Sequence, residues 1–275
     1  MGDSVARAGK WRIGRHVMLL GEYFTQYVKV RLSYRADFLI GLATSFAATL
    51  FAFGFVLVLF SKIPRLSGWR FEEVMFLYGF SMIPFGLFNV LSLNLYEFGS
   101  TYIMEGKFDR VLLRPVGSLF QVLFETFRIE SFHEVLTGVI VVIWASRRIG
   151  MHWTALDVVL LVVFGLCGGV IYVAVFLLLT TVSFWFEDRI GIHPPVWNMI
   201  AFGRYPLSIY SGFIQFFLSW VIPFGFATFY PTVRLLSRGE FRNYAPLVPV
   251  VAAASLAIAL LAWGQGVRRY SSTGS

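Results

Sequence analysis

The chain has 275 residues, of which 57% are hydrophobic and only 14% are charged. Soluble domains contain about 25% charged and about 45–50% apolar residues. The composition excludes disordered, collagen-like and disulfide-rich secreted proteins, and it indicates a chain whose solvent is largely lipid. The formal net charge of +8 is distributed between apolar blocks, which favours a membrane surface over nucleic acid as the acidic partner.

The N-terminal segment at 1–36 predicts an amphipathic helix on the cytoplasmic membrane surface. It has no uninterrupted apolar core of the length that a cleavable signal peptide needs. Apolar side chains recur there at helical spacing, at Ile13, Val17, Leu20, Phe24, Tyr27 and Val28. We expect the basic side of this helix to face anionic headgroups, and the alternative is a cytosolic helix packed on a partner.

Six segments are candidates to cross a bilayer, which requires about 20 mostly apolar residues. They are 38–60, 74–96, 119–146, 158–186, 205–233 and 243–267. The third carries charges in its first half, so we interpret it as one long helix whose first turns lie near the membrane surface. The chain is therefore predicted to be an all-α integral membrane protein, with a six-span transmembrane domain at 37–267 and a cytoplasmic tail at 268–275.

The basic residues between the spans predict the orientation. With the N-terminus inside, the inner segments 1–37, 97–128, 187–208 and the tail carry 15 Lys and Arg residues, whereas the outer segments carry 8. Because cytoplasmic loops are enriched in Lys and Arg, this difference predicts that both termini are cytoplasmic.

Small residues predict where spans contact other helices. The first span carries them at Gly41, Ser45, Ala48 and Ala52, and the fourth at Gly165 and Gly169. Small residues let helix backbones approach closely inside lipid, so both stripes predict helix contacts without identifying the partner.

Prolines predict irregular backbone in two spans. Pro84 in the second and Pro223 in the fifth should each kink or break the helix. We expect the fifth span to stop short of the outer face and to continue as a broken or re-entrant piece. Trp220, Pro223 and Phe224 are candidates for an apolar gate there, and the alternative for the surrounding aromatic residues is an interfacial belt.

No enzyme motif is present in the sequence. It contains neither H-E-x-x-H nor G-x-S-x-G nor the nucleotide-binding loop G-x-x-x-x-G-K-[ST]. Its single cysteine, Cys167, lies in an apolar block and is interpreted as a buried apolar residue.

Ionisable residues in the third span form a candidate polar cluster, made of Glu125, Arg128, Glu130, His133 and Glu134. We interpret them as lying at the inner headgroup level, where Glu125 and Arg128 would pair with each other or with a partner subunit. A proton-relay or substrate-binding role is the alternative. Two further classes of function follow from these residues: a proton-coupled secondary transporter, or an integral-membrane enzyme that acts on lipid or glycan carriers.

A short mixed-charge segment at 105–115, between the second and third spans, predicts a helix of two to three turns that ends at Pro115. An isolated helix of this length is marginal, so it should gain order by packing against something. We expect Phe108 and Leu112 to share one exposed face, which would dock in a groove of a cytosolic subunit. The alternative is a connector lying on lipid. The residues assigned to the docking surface are Glu105, Lys107, Phe108, Asp109, Arg110, Leu112 and Arg114.

Six short motifs follow one another along nearly the whole chain. They are Y-R-A-D-F-L-I-G at 34–41, G-W-R-F-E-E-V-M-F-L-Y-G at 68–79, L-L-R-P-V at 112–116, R-Y-P-L-S-I-Y at 204–210, V-I-P-F-G-F at 221–226 and R-R-Y-S-S at 268–272. In this order the chain resembles ABC-transporter permease subunits of the type-2, exporter-like class, in the bacterial six-span branch termed ABC-2 family transporter protein.

The resemblance implies a permease without its own ATPase, in a bacterial cytoplasmic membrane. Two permeases, homologous or identical, would join two copies of a separate ATPase subunit, which would bind ATP and magnesium; this chain would hold no cofactor, catalytic residue or metal. The segment at 105–115 matches the coupling helix of the family. It would pass movement to the second and third spans, and the substrate pathway would lie between the permeases, lined by the first, second and fifth spans.

Overall fold

The computed structural model describes residues 21, 22, 25, 29, 35–186 and 193–271. Eleven α-helices lie in this part of the chain. In chain order they are α1 (Arg35–Lys62), α2 (Phe71–Tyr96), α3 (Lys107–Leu113), α4 (Ser118–Phe124), α5 (Phe132–Ile149), α6 (Ala155–Phe186), α7 (His193–Met199), α8 (Gly212–Phe216), α9 (Phe224–Ala227), α10 (Phe229–Leu235) and α11 (Val248–Arg269). The predicted surface helix at 1–36 lies almost wholly outside the described residues.

Five described helical stretches are long and apolar enough to cross a membrane, and a bent pair of helices raises the number to six. They are Arg35–Lys62, Phe71–Val90, Ile129–Ile149, Ala155–Phe186 and Asn243–Arg269, and the bent pair is Gly212–Val221 with Phe224–Leu235. The prediction of an all-α, multi-pass membrane protein is confirmed.

Local sequence signals set the ends of the long helices. Asp37 lies in the first turn of α1 and Lys62 in its last turn, where each charge complements the helix dipole. The Thr154 hydroxyl and the Asp157 carboxylate cap α6 reciprocally, because each accepts a hydrogen bond from the other residue's backbone N–H, at 3.2 and 3.1 Å. Gly150 ends α5 with a φ of 76°, a left-handed conformation that favours glycine.

The bundle is built around α2. In its most apolar stretch 89% of the residues are buried, against 6% for α1. Its contact with α5 is close because the helices meet at Gly79 and Gly138, where a Cβ atom on Gly138 would lie 2.6 Å from the Gly79 carbonyl oxygen. The two ends of the bundle are named here by α2: the Phe71 end and the Tyr96 end.

Small residues on α6 allow the contact predicted there. A Cβ atom on Gly165 would lie 3.2 Å from Ile83, and one on Gly169 would lie 3.4 Å from Leu87. The tightest position is Gly168, which the sequence analysis did not single out. The corresponding stripe on α1 is more open at one end: among the described residues a Cβ atom on Gly41 would have no neighbour within 4 Å, whereas Ala52 packs against the core.

Of the two outcomes predicted for Pro84, a kink or a break, the structure excludes the break. α2 continues through Pro84 as one helix. The proline ring is enclosed by α6, because a Cβ atom on Gly168 would lie 2.8 Å from Pro84 Cβ. Neighbouring helices make such prolines tolerable in membrane helices.

The third predicted span is not one long helix. α4 ends at Phe124, and α5 begins only at Phe132, after a 3-10 turn at Ile129–Ser131. The interruption is tied to α2, because the Arg128 backbone N–H donates to the Val90 carbonyl at 3.1 Å and the Asn94 side chain donates to the Val122 carbonyl at 2.8 Å. These hydrogen bonds replace those that a continuous helix would have made internally.

The chain bends sharply at Pro223, where the sequence predicted a broken or re-entrant piece. The axes on either side of the break, Gly212–Val221 and Phe224–Leu235, differ by 74°. The break lies near the Phe71 end, because the ring centroids of Phe229 and Trp69 are 5.8 Å apart.

Residues 193–209 do not form the predicted inner loop. His193 lies 5.8 Å from the Tyr96 ring, Trp197 lies 5.6 Å from the Phe85 ring, and the Ser208 carbonyl lies 3.5 Å from the Ser67 hydroxyl. This segment therefore runs along most of α2, antiparallel to it, and the fifth crossing begins near His193 rather than at residue 205. The prediction that residues 187–208 lie in an inner loop is wrong for the described residues of that range.

A charged contact fastens the loops at the Phe71 end. Arg238 Nη1 lies 2.9 Å from Glu73 Oε2, and the guanidinium carbon lies 4.2 Å from the centre of the fully buried Trp69 ring. Arg238 thereby ties the loop after α10 to the first turn of α2.

Candidate functional site

The predicted short helix at 105–115 is present as α3, Lys107–Leu113. It is preceded by Gly106, whose φ of 68° lets the chain turn sharply out of a π-helix at Gly99–Met104. Its last turn is held by the Gln121 side chain, which donates to the carbonyls of Val111 and Val116 at 3.0 and 2.9 Å. This anchoring explains how so short a helix is ordered.

Phe108 points into the protein, which corrects the expectation that it forms an exposed docking face. Its side chain is fully buried. It lies in an aromatic box, defined as Phe98, Phe108, Phe184, Trp263 and Tyr270, with ring centroids 4.9 to 6.0 Å from Phe108. The apolar residues that α3 turns outward are Leu112, 44% exposed, and Leu113, 85% exposed.

Asp109 fastens α3 to the end of α11. Its carboxylate accepts a hydrogen bond from the Tyr270 hydroxyl at 3.0 Å. Burial, together with the Asp109 carboxylate, raises the pKa of Tyr270 to about 12, so the hydroxyl remains a donor at physiological pH. Two of the docking residues predicted from sequence, Phe108 and Asp109, therefore hold α3 onto this chain.

The remaining charged residues of α3 border a polar cavity of about 390 Å³ at the Tyr96 end. Lys107, Arg110 and Arg114, which follows the helix, are among its lining residues. Glu97 and Glu125 also line the cavity, and Lys107 Nζ pairs with the Glu105 carboxylate at 2.9 Å. This surface of mixed charge adjoins the exposed leucines.

The ionisable residues of the third span are divided between two places. Glu125 lies in the cavity and accepts a hydrogen bond from the Tyr102 hydroxyl, so the expected pairing of Glu125 with Arg128 is not the contact that forms. Glu134 lies inside the bundle, where its carboxylate accepts a hydrogen bond from the Asn89 amide at 3.0 Å. His133 Nδ1 donates to the Glu130 carbonyl at 2.7 Å.

Sequence reasoning missed Arg204, which it had counted with an inner loop. The Arg204 Nη1 group donates to the Tyr78 hydroxyl at 2.9 Å. Its guanidinium carbon lies 5.4 Å from the Tyr78 ring centre and 5.3 Å from the Phe85 ring centre. Arg204, Arg128 and His133 are within electrostatic range of Glu134. The available signal was one arginine among apolar residues, inside the R-Y-P-L-S-I-Y motif.

The candidate gate residues do not form one unit. Phe224 is fully buried, with its ring centroid 5.0 Å from that of Tyr172. Trp220 is 52% exposed and lies 5.3 Å from the Phe226 ring. Pro223 lies at the bend between them, so the structure places a buried ring and an exposed ring on opposite sides of the break.

Within residues 35–186 and 193–271, no three His, Cys, Asp or Glu side chains are close enough together to bind one metal ion. The features that these residues do show are apolar membrane helices, a short helix rooted at one end of the bundle, and polar groups inside it. They define a multi-pass α-helical membrane protein.

The sequence matches the family described as ABC-2 family transporter protein over residues 45–274, and the chain belongs to that family. It is therefore a permease component of an ABC transporter, and membership implies association with ABC ATPase subunits. No curated protein and no solved structure was found to match the chain.

Proposed function

We propose that this chain is one permease of an ATP-driven exporter, and that α3 is its coupling helix. The observation that carries the proposal is the two-sided construction of α3. One side is rooted by Phe108 in the aromatic box, and the other exposes Leu112 and Leu113 beside the charged cavity. A short helix held in this way is suited to receive movement from a partner, since apolar anchors carry most of an interface's energy.

The aromatic box determines where the movement goes. Phe98 follows the end of α2, Phe184 belongs to the end of α6, and Trp263 belongs to α11. A displacement of α3 by the ATPase would therefore reach the second, fourth and sixth spans together. This extends the expectation that the second and third spans receive it.

A second permease, homologous or identical, would cover α1. Leu39, Phe51 and Phe55 are 60%, 81% and 59% exposed on this helix, and a Cβ atom on Gly41 would have no neighbour within 4 Å among the described residues. Small residues on an exposed membrane helix fit a helix partner. In this arrangement two ATPase subunits would bind ATP and magnesium, and both termini would lie in the cytoplasm of a bacterial cell.

The decisive experiment is purification of the tagged chain from its native membrane in mild detergent, followed by native mass measurement. We expect an ATPase subunit carrying a nucleotide-binding loop, in two copies, together with two permeases. A chain that purifies without any ATPase would remove the basis of the proposal. Transport by such a chain, driven by a pH gradient and lost in Glu134→Gln, would identify a proton-coupled transporter instead.

A further inference from the structure

Arg204 is a charged side chain placed beside the middle of a membrane helix. It contacts Tyr78 and Phe85, which lie roughly 10 and 21 Å along the axis of α2, a helix about 39 Å long. The side chain is half-buried rather than enclosed. A guanidinium at such a depth is costly in lipid, so arginines there face protein or a water-filled cavity.

The helix face that carries Arg204 is accessible rather than packed against the described part of this chain. Arg204 ends a 3-10 helix at Ile200–Arg204, in which residues three apart lie on the same face. Ala201, three residues before Arg204 and on the same face, is exposed. The face that presents Arg204 is thus uncovered by the described residues of this chain.

Most donors of Arg204 are unused within the described residues. A guanidinium has five N–H donors, and in Arg204 one of them donates a hydrogen bond to the Tyr78 hydroxyl. The Glu134 side chain, which also lies inside the bundle, accepts its hydrogen bond from Asn89 and not from Arg204. The Tyr172 hydroxyl is within electrostatic range of Arg204 and is buried with no hydrogen-bond partner among the described residues.

We propose that Arg204 is a substrate-binding residue that contacts the anionic group of an amphipathic molecule within the transport pathway. The inference rests on the proposed function, because it requires that the open face of Arg204 borders a pathway rather than lipid. The guanidinium supplies donors for a phosphate, carboxylate or sulfonate. Two neighbouring aromatic side chains, Phe202, which is 41% exposed, and the half-buried Tyr205, supply the surface for an apolar tail.

The chain offers a direct test because Cys167 is its only cysteine. In a Cys167→Ala background, Ala201→Cys places a thiol on the face of Arg204, about 6 Å away along the axis. Val159→Cys, on an exposed part of α6, is the matched lipid-facing control. The assembled complex in phosphatidylcholine liposomes is treated with membrane-impermeant thiosulfonates of opposite charge, and the two modification rates are compared.

We expect the cysteine at 201 to react and the one at 159 to remain unmodified. After each rate is divided by that reagent's rate with a free thiol, the anionic reagent should react faster than the cationic one by about sixfold, the ratio produced by a unit charge about 8 Å away in water. Arg204→Gln should abolish this preference. The proposal is overturned if the cysteine at 201 is as unreactive as the one at 159. It is also overturned if Arg204→Gln leaves the charge preference unchanged.

Protection from modification identifies the ligand chemistry. Dodecyl phosphate should slow labelling at 201 at least tenfold more than dodecyl maltoside does, and Arg204→Gln should remove the difference. Equal protection by inorganic phosphate would reject an amphipathic ligand. Copurification of the ATPase is measured separately from thiol modification. If the ATPase copurifies but the cysteine at 201 shows no preference for the anionic reagent, only the Arg204 site is rejected. If the preference is present but no ATPase copurifies, only the proposed function is rejected.

Discussion

Replacing Phe108 with alanine tests whether α3 is rooted in this chain or docked through Phe108 on a partner. The phenyl ring is fully buried against four other aromatic rings of the aromatic box. Truncating a buried phenylalanine costs about 3–5 kcal/mol, through lost burial and the cavity left behind. We therefore expect Phe108→Ala to destabilise the permease itself.

The size of the effect follows from the length of the chain. A loss of about 4 kcal/mol corresponds to a fall in Tm of about 8–16 °C, if 1 kcal/mol is worth about 2–4 °C at this chain length. The assay is thermal denaturation of the permease purified without ATPase, followed by size-exclusion chromatography. Phe213→Ala is the matched control, because that ring is 76% exposed and its removal should leave Tm within about 2 °C.

Leu113→Ala should show the opposite behaviour. Leu113 is 85% exposed, so its truncation should leave the permease stable. If it is a central anchor for the ATPase, binding should weaken by about 2 kcal/mol, or about 30-fold. A Phe108→Ala permease that is as stable as wild type, but fails to bind the ATPase, would refute the assignment of Phe108 to the core.

Three further changes test other contacts. Gly168→Ala should lower Tm, at a cost of about 1–3 kcal/mol, because a Cβ atom there would lie 2.6 Å from the Ala227 carbonyl oxygen. Gly264→Ala is the control, because a Cβ atom there meets open space and should leave Tm unchanged. Equal effects of the two changes would contradict the contact at Gly168. Arg238→Ala should lower the free energy of unfolding by about 2 kcal/mol, because it leaves Glu73 without its charged hydrogen bond. Thermal denaturation measures the effect, and an unchanged Tm would show that this contact is not stabilising. Pro223→Ala should straighten the bent pair and lower transport while ATPase binding and ATP binding stay intact; transport at the wild-type rate would leave the aromatic belt as the role of this region.

The sequence by itself determined the features that depend on local composition. Long apolar runs predicted the membrane helices, since lipid requires about 20 such residues in a row. Pro223 predicted the sharp bend between Gly212–Val221 and Phe224–Leu235, because proline lacks the backbone donor that a continuous helix uses. The mixed-charge segment ending at Pro115 predicted α3, whose bounds fall inside the expected range.

Tertiary structure alone decided which way the side chains point. In a membrane helix apolar residues face both lipid and protein, so hydropathy does not distinguish them. Phe108 and Leu113 are both apolar residues of α3, yet one is fully buried and the other 85% exposed. Gly168 rather than Gly165 or Gly169 makes the tightest contact, because the partner at that level is the backbone of Ala227.

Long-range pairing also decided where the polar groups lie. Arg204 was placed in a loop by its charge, but Tyr78 and Phe85, more than a hundred residues earlier in the chain, hold it beside α2. The third span is interrupted because α2 accepts and donates the hydrogen bonds that its helix gives up, as the bond from Arg128 to Val90 shows. Such bonds join residues far apart in sequence, and their energy enters only when the helices are packed together.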